Sequence, residues 1–398
     1  MIAAMSFAAP GYRGTVSALA IGQVLSWAAL YYVFSSFVLP MQRELGWDKA
    51  TLMGAYTLGL AVWGAATYVA GALVDAGQGR VLMAVGNALA GLGFGVWSLV
   101  TEPWMLYAVW AVLGAAMAAT LYEPAFNVLT KRYPDRYREG ITMLTLVGGF
   151  ASTLSFPAVA WMLPHLGWRA TLAAIGAVLL FFVAPLHWWA LSGPALVASA
   201  HQQDEQADAT LHEALRTPAF WLLTLCFLLH AFVSAALWAH VMPIFESKGV
   251  SQADALVVLM TVGPAQVAGR LVYAAIGRGW SLRKLGVVVL IGLPVGTLFF
   301  ALGHTLPVLL VFALVFGMSN GLVTIVRGGL VPLYFGRTHV GRIGGAMSGI
   351  GLLSRAAAPL AAAGLLLMVP GYTEVVLAFS VLGLVSVAAF GAARPPRA

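Results

Sequence analysis

Charge is what this chain has least of. Only 9% of its 398 residues are Asp, Glu, Lys or Arg, against roughly 25% in an ordinary soluble domain. A water-soluble surface cannot be covered with so few, which excludes a soluble globular protein. It also excludes a disordered chain, which needs low hydrophobicity and high charge. There is one cysteine, Cys226, so no internal disulfide framework exists and a secreted disulfide scaffold is excluded. No basic run long enough to track nucleic acid is present, and no nucleic-acid partner is expected. A phosphate-binding glycine loop, zinc-ligand spacing and a nucleophile elbow are missing too. These absences argue against an enzyme, a resident cofactor, a metal site and a nucleotide-driven pump.

What is there is apolar. Hydrophobic residues make up 61% of the chain, and the mean hydropathy is +0.90. Glycine, at 44, and proline, at 19, suit membrane helices, where both are tolerated better than in soluble ones. A spanning helix needs about 20 mostly apolar residues. The sequence predicts twelve: 15–40, 51–73, 81–101, 104–130, 141–163, 169–191, 218–244, 252–276, 284–303, 306–334, 343–369 and 372–392. Strand alternation is absent, and helices satisfy their own backbone in lipid. The expected class is therefore an all-α integral membrane protein lying in the lipid bilayer. Residues 1–13 carry one basic residue, Arg13, and lead into a stretch long enough to span, so no cleavable signal is expected.

Charge placement sets the orientation. With the N-terminus inside, only Arg43, Lys49, Arg169 and Lys248 fall in outer loops, and Arg270, Arg327 and Arg355 fall inside spans. The remaining fourteen of the 21 basic residues are cytoplasmic. The asymmetry follows the positive-inside rule and predicts a multi-pass protein of the inner membrane with both termini cytoplasmic. The +7 net charge is thus a topology signal.

One sizeable polar break, 194–216, contains HQQDEQAD and the amphipathic TLHEALRTPAF. It divides the chain into a six-helix bundle at 1–193, a cytoplasmic linker and a second six-helix bundle at 217–398. The halves echo each other at an offset of 203: Gly46 with Gly249, Asp48 with Ser251, Ala50 with Ala253, Arg80 with Arg283 and Gly114 with Gly317. Duplicated bundles around a central site are a recurrent transporter design.

Four ionisable residues sit deep in spans: Glu123, Arg270, Arg327 and Arg355. A charge there is costly, about 2.5–3.5 kcal/mol on insertion scales, and ordinarily faces a wet cavity or a partner. Arg355 follows Arg342 by 13 residues, about 20 Å of helix. Arg270 precedes Arg278 by 8 and Arg327 precedes Arg337 by 10. Three positive charges against one negative favour an anion, and the planar guanidinium matches a carboxylate with two parallel hydrogen bonds. The alternative is that an arginine bonds helix carbonyls or snorkels. Arg327 shares a polar face with Asn320 and Thr324 at i, i+4, i+7; lining a cavity and pairing with a neighbouring helix are equally open to it. Glu123 precedes Pro124, where the helix must kink or loosen. Two roles are open to it: a proton carrier, or a structural partner of an arginine. Span 1 carries Gln23, Trp27 and Tyr31, and span 7 carries His230, Ser234 and Trp238, each at i, i+4, i+8. The mixture of Gln, His and Ser with aromatics points to cavity lining, and His230 is a second candidate for coupling. Small residues on span 5 (Gly148, Gly149, Ala151) and span 11 (Gly344, Gly345, Gly349, Gly351) allow close helix contact.

Between spans 2 and 3 the chain reads GALVDAGQGR, residues 71–80. This resembles the loop motif of the major facilitator superfamily, with Gly71, Leu73, Asp75 and Arg80 matching and Ala76 where that family often has Arg. The likeness covers nearly the whole chain. Within the superfamily the chain resembles the monocarboxylate and oxalate–formate exchanger branch, on GWRATL (167–172), LHEALRTPAFW (211–221), the arginine of span 8 and the basic residue midway along span 11. Gln266 stands four residues before Arg270 where monocarboxylate carriers tend to have Asp. The resemblance implies the twelve-helix major facilitator fold, and a gating role for Gly71, Asp75 and Arg80, with Asp75 holding a helix end or a basic residue. It also implies alternating access and a small organic anion held by Arg270 and Arg355. Arg327, Gln266, Asn320, Tyr31, Trp27 and His230 complete the expected binding set, and Glu123 is the expected proton-coupling group. The expected protein is a secondary transporter for a carboxylate, a symporter or antiporter working by proton coupling or exchange, acting as a monomer. A proton-driven drug exporter with Glu123 as its key group is the competing expectation.

Overall fold

The structure is a computed structural model, and it describes residues 9–193, 208–277 and 279–395. Arg278, Arg397 and the 194–207 part of the expected linker lie outside the described residues. Every regular element among those described is helical.

The first span is α1 (Tyr12–Trp27), a π-helical turn at Ala28–Tyr32 and α2 (Phe34–Leu45). It ends at Gly46, whose φ of 69° lets the chain leave the helix in a conformation that L side chains avoid. Asp48 then starts α3 (Lys49–Asp75) by accepting from Thr51 N at 2.6 Å, one of the donors a helix start leaves unpaired. There follow α4 (Gly79–Trp97), α5 (Pro103–Thr120) with its proline at the first turn, and α6 (Tyr122–Arg132). Then come α7 (Tyr137–Gly148), α8 (Ala151–Val178), a second π-helical turn at Leu179–Val183 and α9 (Ala184–Ala190).

The apolar run from Tyr137 to Ala190 is 54 residues long. At 1.5 Å per residue it would be more than twice the hydrocarbon thickness. Gly167, with φ 71° and ψ 170°, interrupts it and separates the fifth crossing from the sixth. The 11 apolar helical runs thus make twelve crossings among the described residues.

After the short capped helix α10 (Leu211–Leu215) come α11 (Pro218–Ser247), α12 (Gln252–Val272), a third π-helical turn (Tyr273–Gly277), α13 (Leu282–Leu302), α14 (Leu306–Phe335), α15 (Val340–Leu366) and α16 (Tyr372–Ala392). Thr217, Ser251 and Ser281 cap the starts of α11, α12 and α13.

Two compact units result: residues 1–206 with 337–349, and residues 207–336 with 350–398. The first is centred on rings, Trp97, Trp110, Phe37 and Phe94, all fully buried. The second is centred on Phe245, Phe300, Phe312, Phe316 and Phe379. Large apolar side chains such as Phe181, Met260, Leu360 and Leu367 are exposed outside these cores.

Candidate functional site

In the first unit the fourth span is broken. Leu121 leaves helical geometry (φ −76°, ψ −160°) and divides α5 from α6. Pro124 has no N–H, so the carbonyl four residues back, Thr120 O, loses its helical donor. Gln23 supplies the replacement, its Nε2 donating to Thr120 O at 2.7 Å. Gln23 is fully buried; it braces the break and does not line a cavity. Glu123 lies in the first turn of α6, half-buried, where the positive end of the helix favours a carboxylate.

Beside this break stands an aromatic group. The Trp27 ring lies 5.3 Å from Tyr31, 6.0 Å from Trp63 and 4.9 Å from Tyr122. The indole nitrogens of Trp27 and Trp63 are buried and have no hydrogen-bond partner among the described residues. Trp27 ends α1, and Tyr31 sits in the π-helical turn that follows. Such turns concentrate at functional sites. Tyr31 also lines a cavity of about 450 Å³ with Phe34, Ser35, Gln42, Met53 and Tyr56.

Asp75 sits at the end of α3 with its side chain 4% exposed. Its carboxylate accepts from Gly341 N at 2.9 Å and Arg342 N at 2.8 Å, and pairs with Lys131 at 3.1 Å. It therefore caps the start of α15 within the first unit. Gly71 makes room for this, since a Cβ there would lie 2.0 Å from Gly341 O. Arg80 goes elsewhere: its Nε donates to Trp188 O at 2.8 Å and its guanidinium lies 4.0 Å over the Trp188 ring. The structure thus brings Gly71 and Asp75 together and places Arg80 at the end of α9.

In the second unit α12 crosses α14 on small residues. A Cβ on Gly317 would meet Val262 O at 2.7 Å, and one on Gly321 would meet Gln266 O at 2.6 Å. Arg270 emerges from this crossing, 4% exposed, with Nε donating to Gly321 O at 3.0 Å. One of its N–H groups therefore serves the backbone of α14. Gln266 is half-buried one turn earlier, and the third π-helical turn begins three residues after Arg270.

His230 is 4% exposed, midway along α11. Its electrostatic neighbours are Arg355, Asn320 and Arg327. Four residues of the expected binding set, from three spans, are thus neighbours. Arg355 is exposed, Asn320 and Arg327 are half-buried, and Ser354 ties α15 to Leu228 O at 3.2 Å.

Sequence reasoning missed Trp63, Tyr122 and the buried chain of Ser26, Asn87 and His187. The 203-residue offset holds a signal for Trp63, because it maps that residue onto Gln266, already a candidate. Nothing local signals the Asn87–His187 contact across 100 positions.

Comparison with known proteins agrees with this architecture. The human organic anion transporter MFSD10 (TETRAN) superposes with a TM-score of 0.74 at 16% identity, covering 96% of this chain and 100% of that one. The Escherichia coli fucose:proton symporter FucP gives 0.76 at 12% identity, covering 95% and 98%. At such identities the likeness is one of fold. In sequence, the gallate transporter of Pseudomonas putida is 32% identical over 184 residues, 42% of this chain and 37% of the relative. Human monocarboxylate transporter 11 is 36% identical over 124 residues, 31% and 26%. The oxalate:formate antiporter of Oxalobacter formigenes is 24% identical over 243 residues, 61% and 57%. Each alignment covers less than two thirds of the relative's own length. The family model of the Major Facilitator Superfamily matches residues 19–359, and the chain belongs to that superfamily, as a transporter and not an enzyme.

Proposed function

We propose that this transporter moves a small organic anion, a carboxylate, across the inner membrane by alternating access, through proton coupling or exchange, with both termini cytoplasmic. The observation that carries the reading is the neighbourhood of His230, Asn320, Arg327 and Arg355, joined at a comparable depth by Arg270. The acidic residues of α11–α16 are Glu246, Asp254 and Glu374, each in an end turn of its helix. The middle of the second unit is therefore electropositive by composition. Burying that charge is costly, and an arriving anion offsets the cost. The relatives named above for monocarboxylate, gallate and oxalate:formate transport share the carboxylate group.

In this reading Arg355 and Arg270 grip the carboxylate. Arg327, Asn320, Gln266 and His230 supply further polar contacts. Within the first unit Trp27 and Tyr31 are binding residues, and Glu123 carries the coupling proton. Gly71 and Asp75 gate the pathway through the start of α15, and Arg80 steadies that gate from the end of α9.

Uptake of radiolabelled lactate and oxalate into proteoliposomes tests the site. A hydrogen bond to a charged group is worth about 1.5–3 kcal/mol, so Arg355→Gln or Arg270→Gln should lower uptake roughly tenfold to hundredfold while membrane insertion stays intact. Uptake unchanged in both variants sinks the site. Transport of cationic drugs in place of any carboxylate sinks the anion reading.

A further inference from the structure

We infer that His240 is a positioning residue for Arg355: it braces the proline-loosened turn of α15 that follows the arginine, and so sets where the guanidinium stands. This rests on the carboxylate reading above, in which Arg355 grips the cargo.

Proline loosens both helices involved. Pro359 lies inside α15, four residues after Arg355. Its nitrogen carries no hydrogen, so the carbonyl of Arg355 loses its helical donor, and the helix can bend at the residue that bears the charge. Pro243 lies inside α11 and does the same to the carbonyl of Ala239, next to His240. His240 joins the two weakened stretches. Its Nε2 lies 3.0 Å from Pro359 O, and its Nδ1 lies 3.3 Å from Tyr372 Oη. One imidazole thus connects α11, α15 and α16, through residues that all belong to the second unit.

A carbonyl oxygen can only accept, so Nε2 carries a proton and donates it to Pro359 O. In the neutral ring Nδ1 is then the acceptor for the Tyr372 hydroxyl. Tyr372 also lies alongside, with ring centroids 5.9 Å apart, and holds the imidazole in its orientation. Nε2–H donates whether the ring is neutral or protonated, so the brace persists through titration.

Arg355 lies between two ties to a single helix. Ser354 Oγ donates to Leu228 O at 3.2 Å on one side of it in sequence, and His240 takes Pro359 O on the other. The same helix, α11, carries His230, a neighbour of Arg355. The helix that presents His230 therefore also fixes the turn that presents Arg355. A two-point grip on a carboxylate depends on such fixed geometry. An aliphatic side chain at 240 leaves that turn with a helical bond missing and no cross-link.

Uptake of radiolabelled oxalate and lactate by the intact protein in proteoliposomes, normalised to inserted protein, tests the inference. His240→Leu should raise half-saturation about tenfold and change the maximal rate less than about twofold. Tyr372→Phe keeps the ring, removes the hydroxyl and should raise half-saturation about threefold. His240→Gln brings an amide N–H to the Nε2 position, and should keep wild-type half-saturation and the wild-type pH profile from about pH 5 to 8. In an Arg355→Gln background His240→Leu should add nothing further. Wild-type half-saturation in His240→Leu overturns the inference and leaves the carboxylate reading standing. So does a loss that persists in full beside Arg355→Gln, since His240 then acts through another group. Failure of His240→Gln to transport, or a shifted pH profile in it, makes the imidazole a titrating group and also overturns the positioning role. Should His240→Leu fail to insert, Tyr372→Phe decides: wild-type half-saturation there overturns the brace. Unchanged uptake in Arg355→Gln, or no uptake of either acid by the wild-type protein, overturns the reading beneath it as well.

Discussion

Gly22 and His187 are a pair in which one residue's small size makes the other's position possible. His187 is fully buried. Its Nδ1 lies 2.9 Å from Asn87 Nδ2, and Asn87 Oδ1 accepts from Ser26 Oγ at 2.8 Å. Asn87 Nδ2 also donates to Met83 O, and the other nitrogen of the His187 ring is Nε2. That nitrogen points at Gly22, where a Cβ would come within 1.9 Å. Gly22→Ala should therefore push the ring off Asn87 and cost about 1–3 kcal/mol, as overpacking does. A lowered thermal midpoint of the purified protein would show it. In a His187→Ala background the clash is removed, and the same substitution should cost far less. Equal losses in both backgrounds would separate Gly22 from His187. The chain from Ser26 to His187 has no acidic member, so it holds helices together by neutral hydrogen bonds, which lipid tolerates better than charge.

At the scale of elements, the broken fourth span shows what a pattern can and cannot tell. Pro124 announces a kink, and the break at Leu121 follows from it. The residue that makes the break tolerable, Gln23, lies 97 positions away, and no local periodicity points to it. On its own helix it reads as part of a cavity-lining stripe with Trp27 and Tyr31. Tyr31 does line a cavity, and the stripe misleads for the amide, because the helix faces a carbonyl there. This predicts a coupling. Gln23→Leu strands Thr120 O in a low-dielectric setting, at about 1–3 kcal/mol. Pro124→Ala restores a backbone N–H that can reach the same carbonyl. In a double-mutant cycle followed by thermal unfolding, Gln23→Leu should cost clearly less in the Pro124→Ala protein than in the wild type. Additive losses would show that Gln23 acts through something other than the proline gap. The three arginines of the second unit were legible for the opposite reason: in a helix with so little charge each stands out alone. How they share work was not legible, since the Arg270–Gly321 hydrogen bond needs the small-residue crossing of α12 and α14.

At the scale of the molecule, the 203-residue repeat is the level at which sequence and geometry agree most closely. Gly46 and Gly249 have φ of 69° and 68°. Asp48 caps Thr51 N as Ser251 caps Asp254 N. Gly114 closes on Gly59 as Gly317 closes on Val262. Arg80 holds the carbonyl of Trp188 as Arg283 holds that of Gly391 at 3.2 Å. Each match is displaced by the same offset, so the turns and crossings that give each unit its shape are written twice. By the positive-inside rule, Arg80 beside the Ala76–Gln78 turn and Arg283 and Lys284 beside Ser281 predict that these turns are cytoplasmic. The single native cysteine makes this directly measurable. Cys226 is buried, and its contacts are to Ser386, so Cys226→Ala gives a silent background at small cost. New cysteines at the exposed positions Asp48 and Gln78 should then respond oppositely to a membrane-impermeant maleimide added to intact cells. Asp48→Cys should label without permeabilisation, and Gln78→Cys only after it. The reverse pattern would place both termini outside and overturn the inward assignment of the basic loops, and labelling of both positions in sealed cells would contradict the crossing between them.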